Sequence, residues 1–201
     1  MKIYLIERNA QKFKCLKDAF KHEDVELFNG DFKEFMKEKR VECIVSPANA
    51  YGLMDGGYDL AITEWFGNQL QERVQKHIID NFYGEQPVGT SFIIDAGKNN
   101  QYLLHTPTMQ APQIIVDPRV IYHCMRSTLI EAKRNNIESI LIPMFGGACG
   151  GVKPEVVAKM MLKAYKQIQN PPQKIGWDYV LDVELLPETD FTMDVEDYFK
   201  L

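Results

Sequence analysis

Two glycine-rich segments hold the residues of this chain whose types and spacing could do chemistry, one at 46–59 and one at 145–151. Each comes directly after an apolar run typical of a strand and before a run typical of a helix. Gly56 and Gly57 lack a Cβ atom, so their backbone N–H groups can approach an anion closely. A helix that begins just behind them adds partial positive charge. We therefore interpret the first loop as a phosphate cradle, and the glycines of the second loop favour the same role: Gly146, Gly147, Gly150 and Gly151.

Two common nucleotide-binding loops do not fit these segments. The chain has no GxGxxG pattern, so a Rossmann dinucleotide site is not supported. The stretch at 146–153 is similar to a P-loop, but Val152 intervenes before Lys153 and Pro154 replaces the required Ser or Thr. Magnesium-dependent triphosphate hydrolysis is therefore not predicted. The glycines could also be simple turn residues, although two such loops after two apolar strands favour binding.

The elements that must position these loops alternate along the chain. Asn9 and Asp31 are placed to cap two helices, Pro154 opens another, and Gly67 interrupts a helical region at 59–81. The alternation predicts a three-layer α/β/α sandwich around a mixed, largely parallel sheet. Ligands bind beyond the carboxyl ends of the strands in such sheets, so both loops would face one crevice. The strands are predicted at 2–6, 25–28, 41–45, 91–95, 102–106, 139–143 and 177–183.

The length of 201 residues, without sequence repeats or linkers, predicts one domain spanning 1–201. Within it we expect a core at 28–185, an added strand and helix at 1–27, and an acidic, aromatic tail at 186–201. No apolar stretch approaches the ~18 residues of a membrane span, and the sequence begins without a signal-peptide core. We therefore expect a cytoplasmic protein that does not associate with membranes.

The balance of charge limits the partners. Acidic residues outnumber basic residues by 28 to 23, which gives a formal net charge of −5. This composition argues against nucleic acid, which requires a broad basic surface, although backbone N–H groups can still bind a small anion. The four cysteines form no CxxC pair, which favours reduced thiols. No cluster of His, Asp and Glu has metal-ligand spacing, so neither a metal nor a cofactor is predicted.

The order of motifs between residues 28 and 160 is similar to that of a known family. The chain reads Gly30-Asp31-Phe32 before a strand, then Ser46-Pro47-Ala48-Asn49 and Met54-Asp55-Gly56-Gly57 in the first loop, then Ile142-Pro143 leading into Phe145-Gly146-Gly147 in the second. These motifs resemble the macro domains, which bind ADP-ribose and process ADP-ribose 1″-phosphate. Within that family they resemble the subtype whose first loop reads Ser-Pro-Ala-Asn with Met-Asp-Gly-Gly.

The resemblance implies roles for individual residues. Asp31 would accept a hydrogen bond from the adenine amine, with the Phe32 amide nearby, although Asp31 could simply cap a helix. Asn49 would contact the distal ribose hydroxyls, or it could stabilise its own loop. Phe145 would cover the distal ribose, or it could lie in the core. The other ligand contacts implied are Asp55, Gly56, Gly57, Tyr58, Pro143, Gly146, Gly147, Ala148, Cys149 and Gly150.

Catalysis is a hypothesis that rests on Asn49 and Asp59, because some hydrolytic relatives carry an acidic residue at the position of Asp59. Both side chains would orient a water or the ribose hydroxyls while glycine amides stabilise developing negative charge. The reactions implied are hydrolysis of ADP-ribose 1″-phosphate or of an ADP-ribosyl ester on a protein. Asp59 could instead cap the helix that it opens, in a non-catalytic reader of ADP-ribose or related metabolites. The chemistry stays open because of three departures from the family pattern, at Ser46-Pro47, Asp55 and Thr63.

Overall fold

The computed structural model describes residues 1–177 and 179–180. Residues 1–170 form one compact unit that contains the named helices and strands. The strands are β1 (Lys2–Glu7), β2 (Glu26–Asn29), β3 (Cys43–Ser46), β4 (Phe92–Asp95), β5 (Tyr102–His105) and β6 (Ser139–Pro143). The helices are α1 (Ala10–Phe20), α2 (Phe32–Glu38), α3 (Gly57–Phe66), α4 (Gln69–Phe82), α5 (Arg119–Arg134) and α6 (Pro154–Gln169).

The six strands form one sheet in the order β2-β1-β6-β3-β5-β4. Every adjacent pair is parallel except β4 and β5, which are antiparallel. β1 pairs with both β2 and β6, with Tyr4 opposite Glu26 on one side and Leu141 on the other. Residues 1–27 were expected to be an addition to the core, and their strand β1 lies inside the sheet. The predicted mixed, largely parallel sheet is confirmed.

Helices cover both faces of the sheet. α2, α3 and α4 pack together on one face, and α1, α5 and α6 pack together on the other. On the first face Phe35, Ile62 and Val74 form a buried core with Ile44 and Leu103 of the sheet. Strands covered on both faces bury their side chains in both directions, which explains the apolar runs that made them recognisable in the sequence. None of the helices within the described residues is long and apolar enough to cross a membrane.

The helix boundaries follow the capping residues. Asn9 Oδ1 accepts hydrogen bonds from the backbone N–H groups of Gln11 and Lys12, both at 3.0 Å, so Asn9 caps α1 as predicted. α3 and α4 are separated at Gly67, also as predicted. α3 begins at Gly57 with Gly56 as its N-cap, so the alternative in which Asp59 caps this helix is wrong. The two glycines turn the chain into the helix before Asp59 is reached.

The last predicted strand, at 177–183, is wrong at each of its described residues. Trp177, Tyr179 and Val180 are helical, and the Val180 N–H donates to the Gly176 carbonyl at 3.0 Å. Aromatic and β-branched residues favour a strand mainly where a neighbouring strand packs against them, and here the backbone hydrogen bond is local. Residues 181–183 and the tail at 186–201 lie outside the described residues. The second compact unit begins at Pro171, and the organisation of 1–201 as one domain stays a prediction.

Candidate functional site

A cavity of about 320 Å³ lies at the carboxyl ends of the parallel strands. Each of the five mutually parallel strands, β1, β2, β3, β5 and β6, is followed by a segment that lines it. The two glycine-rich loops therefore face one crevice, where the alternation of elements predicts a ligand site. The wall consists of Ile6, Glu7, Arg8, Asn9, Lys12, Gly30, Asp31, Phe32, Pro47, Gly57, Tyr58, Ala61, Thr108, Met109, Pro143, Met144, Gly146, Gly147, Ala148, Cys149 and Gly150.

The structure brings most of the predicted contact residues to this wall. Those that line the cavity are Asp31, Phe32, Gly57, Tyr58, Pro143, Gly146, Gly147, Ala148, Cys149 and Gly150. Those that lie outside its wall are Asn49, Asp55, Gly56, Asp59 and Phe145.

Asp31 caps α2 and lines the cavity at the same time. Its Oδ1 accepts from the Glu34 N–H at 2.9 Å, while Glu34 Oε2 accepts from the Asp31 N–H at 2.8 Å, which completes a capping box. A carboxylate offers two oxygens and about four acceptor positions, so the cap leaves Asp31 able to accept a further hydrogen bond from a ligand. Phe32 follows in the buried wall, with its ring packed edge-on against Tyr58 at 5.5 Å. Both predicted readings of Asp31, the cap and the ligand acceptor, are thus compatible.

The first loop presents Gly57 to the cavity. Gly57 has a φ of +58°, a left-handed conformation that favours glycine over residues with a side chain. A Cβ atom added at Gly57 or at Gly56 would meet nothing within 4 Å, so there is open space beside both α-carbons. Asp55 is exposed and lies outside the wall.

Asn49 is engaged within its own loop. Its Oδ1 accepts from the Tyr51 N–H at 3.1 Å and the Leu53 N–H at 3.3 Å, and its Nδ2 donates to the Leu53 carbonyl at 2.7 Å. Side-chain hydrogen bonds of this kind stabilise a turn. The observed contacts match the loop-stabilising alternative for Asn49.

Asp59 is buried and lies at the junction of β3 and α3. The Ser46 hydroxyl donates to Asp59 Oδ1 at 2.7 Å, and both side chains lie away from the cavity wall. Burial raises the pKa of the Asp59 carboxyl from 3.8 to about 7, and the hydrogen bond from Ser46 offsets part of that rise. The Thr63 hydroxyl lies within hydrogen-bond distance of the Met54 carbonyl, at 3.1 Å, and of the Leu60 carbonyl within α3, at 3.0 Å. Two of the departures from the family pattern, Ser46 and Thr63, therefore hold the first loop in place.

Two glycines of the second loop, Gly146 and Gly150, lie in close contact with their neighbours. A Cβ atom on Gly146, whose φ is +65°, would lie 2.7 Å from Ile115 Cδ1. A Cβ atom on Gly150 would lie 2.6 Å from the Gly146 carbonyl oxygen, and the Gly150 carbonyl accepts from the Ile115 N–H at 2.9 Å. These glycines thus let the segment before α5 close over the loop. Phe145 is fully buried, as the core alternative predicts.

Cys149 is exposed at the wall, and its Sγ lies 3.7 Å from Met109 Sδ. The contact joins the second glycine-rich loop to the segment that follows β5. No group of three His, Cys, Asp or Glu side chains that could hold a metal ion occurs in the part of the chain that the structure describes.

The comparison with known families matches residues 45–161 to the macro domain, over more than half of the chain. This chain belongs to the macro domain family. An uncharacterized protein of Aquifex aeolicus is 29% identical over 148 residues, which span 73% of this chain and 83% of that protein. An uncharacterized protein of Sulfolobus acidocaldarius is 28% identical over 152 residues, which span 72% of this chain and 76% of that protein.

Solved macrodomain structures share the fold of this macro domain. A mutant of the Oceanobacillus iheyensis macrodomain with ADPR has a TM-score of 0.56 and 22% identity, covering 64% of this chain and 71% of that chain. The Oceanobacillus iheyensis macrodomain with ADP has a TM-score of 0.56 and 24% identity, covering 63% of this chain and 68% of that chain. The macrodomain of Mycobacterium tuberculosis DarG has a TM-score of 0.56 and 21% identity, covering 65% of this chain and 84% of that chain. These similarities establish the α/β/α fold.

Two parts of the wall of this macro domain were not predicted from the sequence. The end of β1 and the turn after it contribute Glu7, Arg8 and Asn9, and the segment after β5 contributes Thr108 and Met109. Neither contains a glycine-rich motif. The sequence did hold a signal for the first of them, because residues 2–20 have the pattern of a strand, a short turn and a helix. Ligands bind at the turns that follow parallel strands.

His105 is a buried titratable group that the site does not use. Its Nδ1 lies 2.6 Å from Gln86 Oε1, and its ring stacks on Phe92 with the centroids 5.1 Å apart. Burial lowers the pKa of His105 to about 3, so the imidazole is neutral near pH 7. His105 is fully buried and lies outside the cavity wall, so it supplies no base to a ligand there.

Proposed function

We propose that this macro domain binds ADP-ribose, or a closely related derivative, in the cavity at the carboxyl ends of its parallel strands. The observation that carries the proposal is the shared wall: the Asp31 acceptor and both glycine-rich loops border the same 320 Å³ cavity. A carboxylate is suited to the exocyclic amine of adenine, and glycine amides are suited to a diphosphate. The solved macrodomains with ADPR and with ADP support this choice of ligand.

Binding without hydrolysis is the form of this function that the geometry favours. The side chain of Asn49, one of the two predicted catalytic residues, forms hydrogen bonds with the backbone of its own loop. Asp59, the other, is bonded to Ser46 and lies outside the cavity wall. Neither side chain is therefore placed to orient a water against a ligand in the cavity. A reader of free or protein-linked ADP-ribose needs only the acceptor and the amides.

Hydrolysis of ADP-ribose 1″-phosphate or of an ADP-ribosyl ester is the alternative function. It would rely on glycine amides that stabilise developing negative charge, with Asn49 and Asp59 moving towards the ligand on binding. Gly57, Gly146 and Gly150 supply such amides at the wall.

A ligand series tests the proposal and separates the two forms. We expect competition with a fluorescent ADP-ribose analogue to rank ADP-ribose and ADP above adenosine and above ribose 5-phosphate, because only the first two carry both adenine and a diphosphate. We also expect no phosphate release from ADP-ribose 1″-phosphate and no cleavage of an ADP-ribosylated peptide. Equal competition by ribose 5-phosphate and ADP-ribose would contradict the adenine assignment, and turnover of either substrate would favour the enzyme.

A further inference from the structure

The turn between β1 and α1 brings two cationic side chains to the wall of the cavity. Arg8 lies in this turn, and Lys12 lies in the first turn of α1. Neither belongs to a glycine-rich loop. Both stand in the segment 1–27, for which the sequence motifs indicate no role at the site.

The backbone of this turn is tied to the segment that carries Asp31. Asn29 Nδ2 donates to the Glu7 carbonyl at 2.8 Å, and the Gly30 N–H donates to the same carbonyl at 3.3 Å. Because Glu7 is the last residue of β1 and Asn29 the last of β2, these bonds hold the ends of two adjacent strands together. The position of Arg8 relative to Gly30 and Asp31 is therefore fixed by the fold.

Lys12 is tied to the other side of the site. Its Nζ donates to the carbonyl of Gly147 in the second glycine-rich loop at 2.5 Å. An ammonium group has three N–H donors, so two remain for a ligand. The C=O and N–H of a trans peptide point in opposite directions, so this contact turns the Ala148 N–H away from Lys12. Lys12 thus fixes the loop and keeps charge available at the wall.

The two carboxylates at the wall, Glu7 and Asp31, each accept a hydrogen bond from a backbone N–H group. Glu7 Oε1 accepts from the Asn9 N–H at 2.7 Å, and Asp31 Oδ1 accepts from the Glu34 N–H at 2.9 Å. The Arg8 guanidinium has no hydrogen bond or ion pair with any residue that the structure describes. The N–H groups of the first turn of α1 cannot serve an anion freely, because Asn9 accepts two of them. The positive charge that this part of the wall offers to an anion therefore comes from the side chains of Arg8 and Lys12.

We propose that Arg8 and Lys12 form a cationic wall that binds the diphosphate of the ligand, so that the cavity selects nucleoside diphosphate compounds over the uncharged nucleoside. The inference rests on the proposed function and adds to it a phosphate contact made by side chains. Lys12 is half-buried, so its attraction for a phosphate is screened less than that of a surface lysine. The segment 1–27 is thereby part of the binding site.

Four variants test the cationic wall. Lys12→Gln keeps a donor for the Gly147 carbonyl and removes the charge, Lys12→Arg keeps both, and Arg8→Gln removes a charge that contacts no described residue. Lys14→Gln is the matched control, since Lys14 is an exposed residue of α1 outside the wall. Affinity for ADP-ribose and for adenosine is measured by calorimetry at about 50 and about 300 mM NaCl. Thermal unfolding of each variant checks that the fold is retained.

We expect Lys12→Gln to weaken ADP-ribose binding about tenfold at low salt, and Arg8→Gln to weaken it about threefold to tenfold. Both should reduce the salt dependence of the affinity, because fewer ionic contacts remain. Lys14→Gln should stay within about twofold of wild type, and adenosine affinity should not change. Lys12→Arg should bind ADP-ribose more tightly than Lys12→Gln does, because it keeps the positive charge. If wild type binds ADP-ribose and both Lys12→Gln and Arg8→Gln bind it equally well, the cationic wall is overturned but the proposed function is not. An equal loss for adenosine would show that the role is structural, and absence of wild-type binding would overturn the proposed function itself.

Discussion

The Ser46 hydroxyl donates a hydrogen bond to Asp59 Oδ1 at 2.7 Å, and this contact closes the first glycine-rich loop. Ser46 is the last residue of β3, and Asp59 lies in the first turn of α3. The chain between them carries Gly57, which lines the cavity. The buried pair therefore sets the distance between the end of the strand and the start of the helix, and with it the position of the loop amides.

The pH dependence of stability should report the burial of Asp59. Its folded pKa of about 7 lies above its ordinary value of 3.8, so the folded state binds the proton more tightly than the unfolded state. Stability from this group is thus full below about pH 4 and is lost as the pH rises towards 7. At about 1.4 kcal/mol per pKa unit the loss is roughly 4 kcal/mol. Asp59→Asn, which cannot ionise, should be more stable than wild type at pH 8 and close to it at pH 4.

Urea unfolding of both proteins at pH 4, 6 and 8 measures this difference. Other carboxyl groups titrate equally in the two proteins, so the difference between them isolates Asp59. A constant difference across the three pH values would contradict a raised pKa. Tyr58 does not complicate the comparison, because burial raises its pKa well above 10 and it stays neutral.

Replacement of Asp31 separates capping from ligand binding. Asn is as good an N-cap as Asp, so Asp31→Asn should leave stability within about 0.5 kcal/mol of wild type, whereas Asp31→Ala should lose about 1 kcal/mol. Both variants should weaken ADP-ribose binding by about 1.5–3 kcal/mol, the scale of a hydrogen bond to a charged group. Calorimetric titration and thermal unfolding give the two quantities. Unchanged affinity in Asp31→Asn would remove the adenine assignment.

The two adjacent glycines of the first loop allow a matched test of the phosphate cradle. Gly57→Glu places a carboxylate at the cavity wall and should abolish detectable ADP-ribose binding. It should also cost about 1–2 kcal/mol of stability, because the φ of +58° is unfavourable for a residue with a side chain. Gly56→Glu is the control, since Gly56 has a φ of −144° and lies outside the wall. If both variants bind ADP-ribose as tightly as wild type does, the assignment of the first loop as the phosphate-binding site is wrong.

Asn49→Ala distinguishes a loop residue from a catalytic one. Loss of its three contacts with the backbone should destabilise the protein by about 1–3 kcal/mol. In a non-catalytic reader, wild type and variant should both leave ADP-ribose 1″-phosphate intact in a phosphate-release assay. Turnover by wild type that disappears in a folded Asn49→Ala protein would establish the enzyme instead.

The sequence predicted the fold well because its signals are local. Apolar runs such as 139–143 reveal strands that are covered on both faces, and caps such as Asn9 and Asp31 mark where helices begin. The strand predicted at 177–183 failed at its described residues because side-chain type alone does not supply a neighbouring strand.

The sequence motifs single out Asp31 and the two glycine-rich loops, and the structure places residues of all three at the wall of one cavity. Their contacts with a ligand stay a prediction. Gly57 and Gly146 could be singled out in the sequence because glycine is the residue that most readily adopts the positive φ found at both positions. The burial of Asp59 could not be predicted from the sequence, since Asp59 pairs with Ser46, which lies thirteen residues earlier in the chain. Arg8 and Lys12 were missed for a similar reason, because their place at the wall depends on β1 lying between β2 and β6.

Calorimetric titration of the wild-type protein with ADP-ribose addresses the proposed ligand most directly. We expect saturable binding with one site per chain, competed by ADP, since the Asp31 carboxylate and the two glycine-rich loops border a single cavity. Absence of saturable binding up to about 1 mM ADP-ribose, which corresponds to a binding free energy weaker than about −4 kcal/mol, would contradict it.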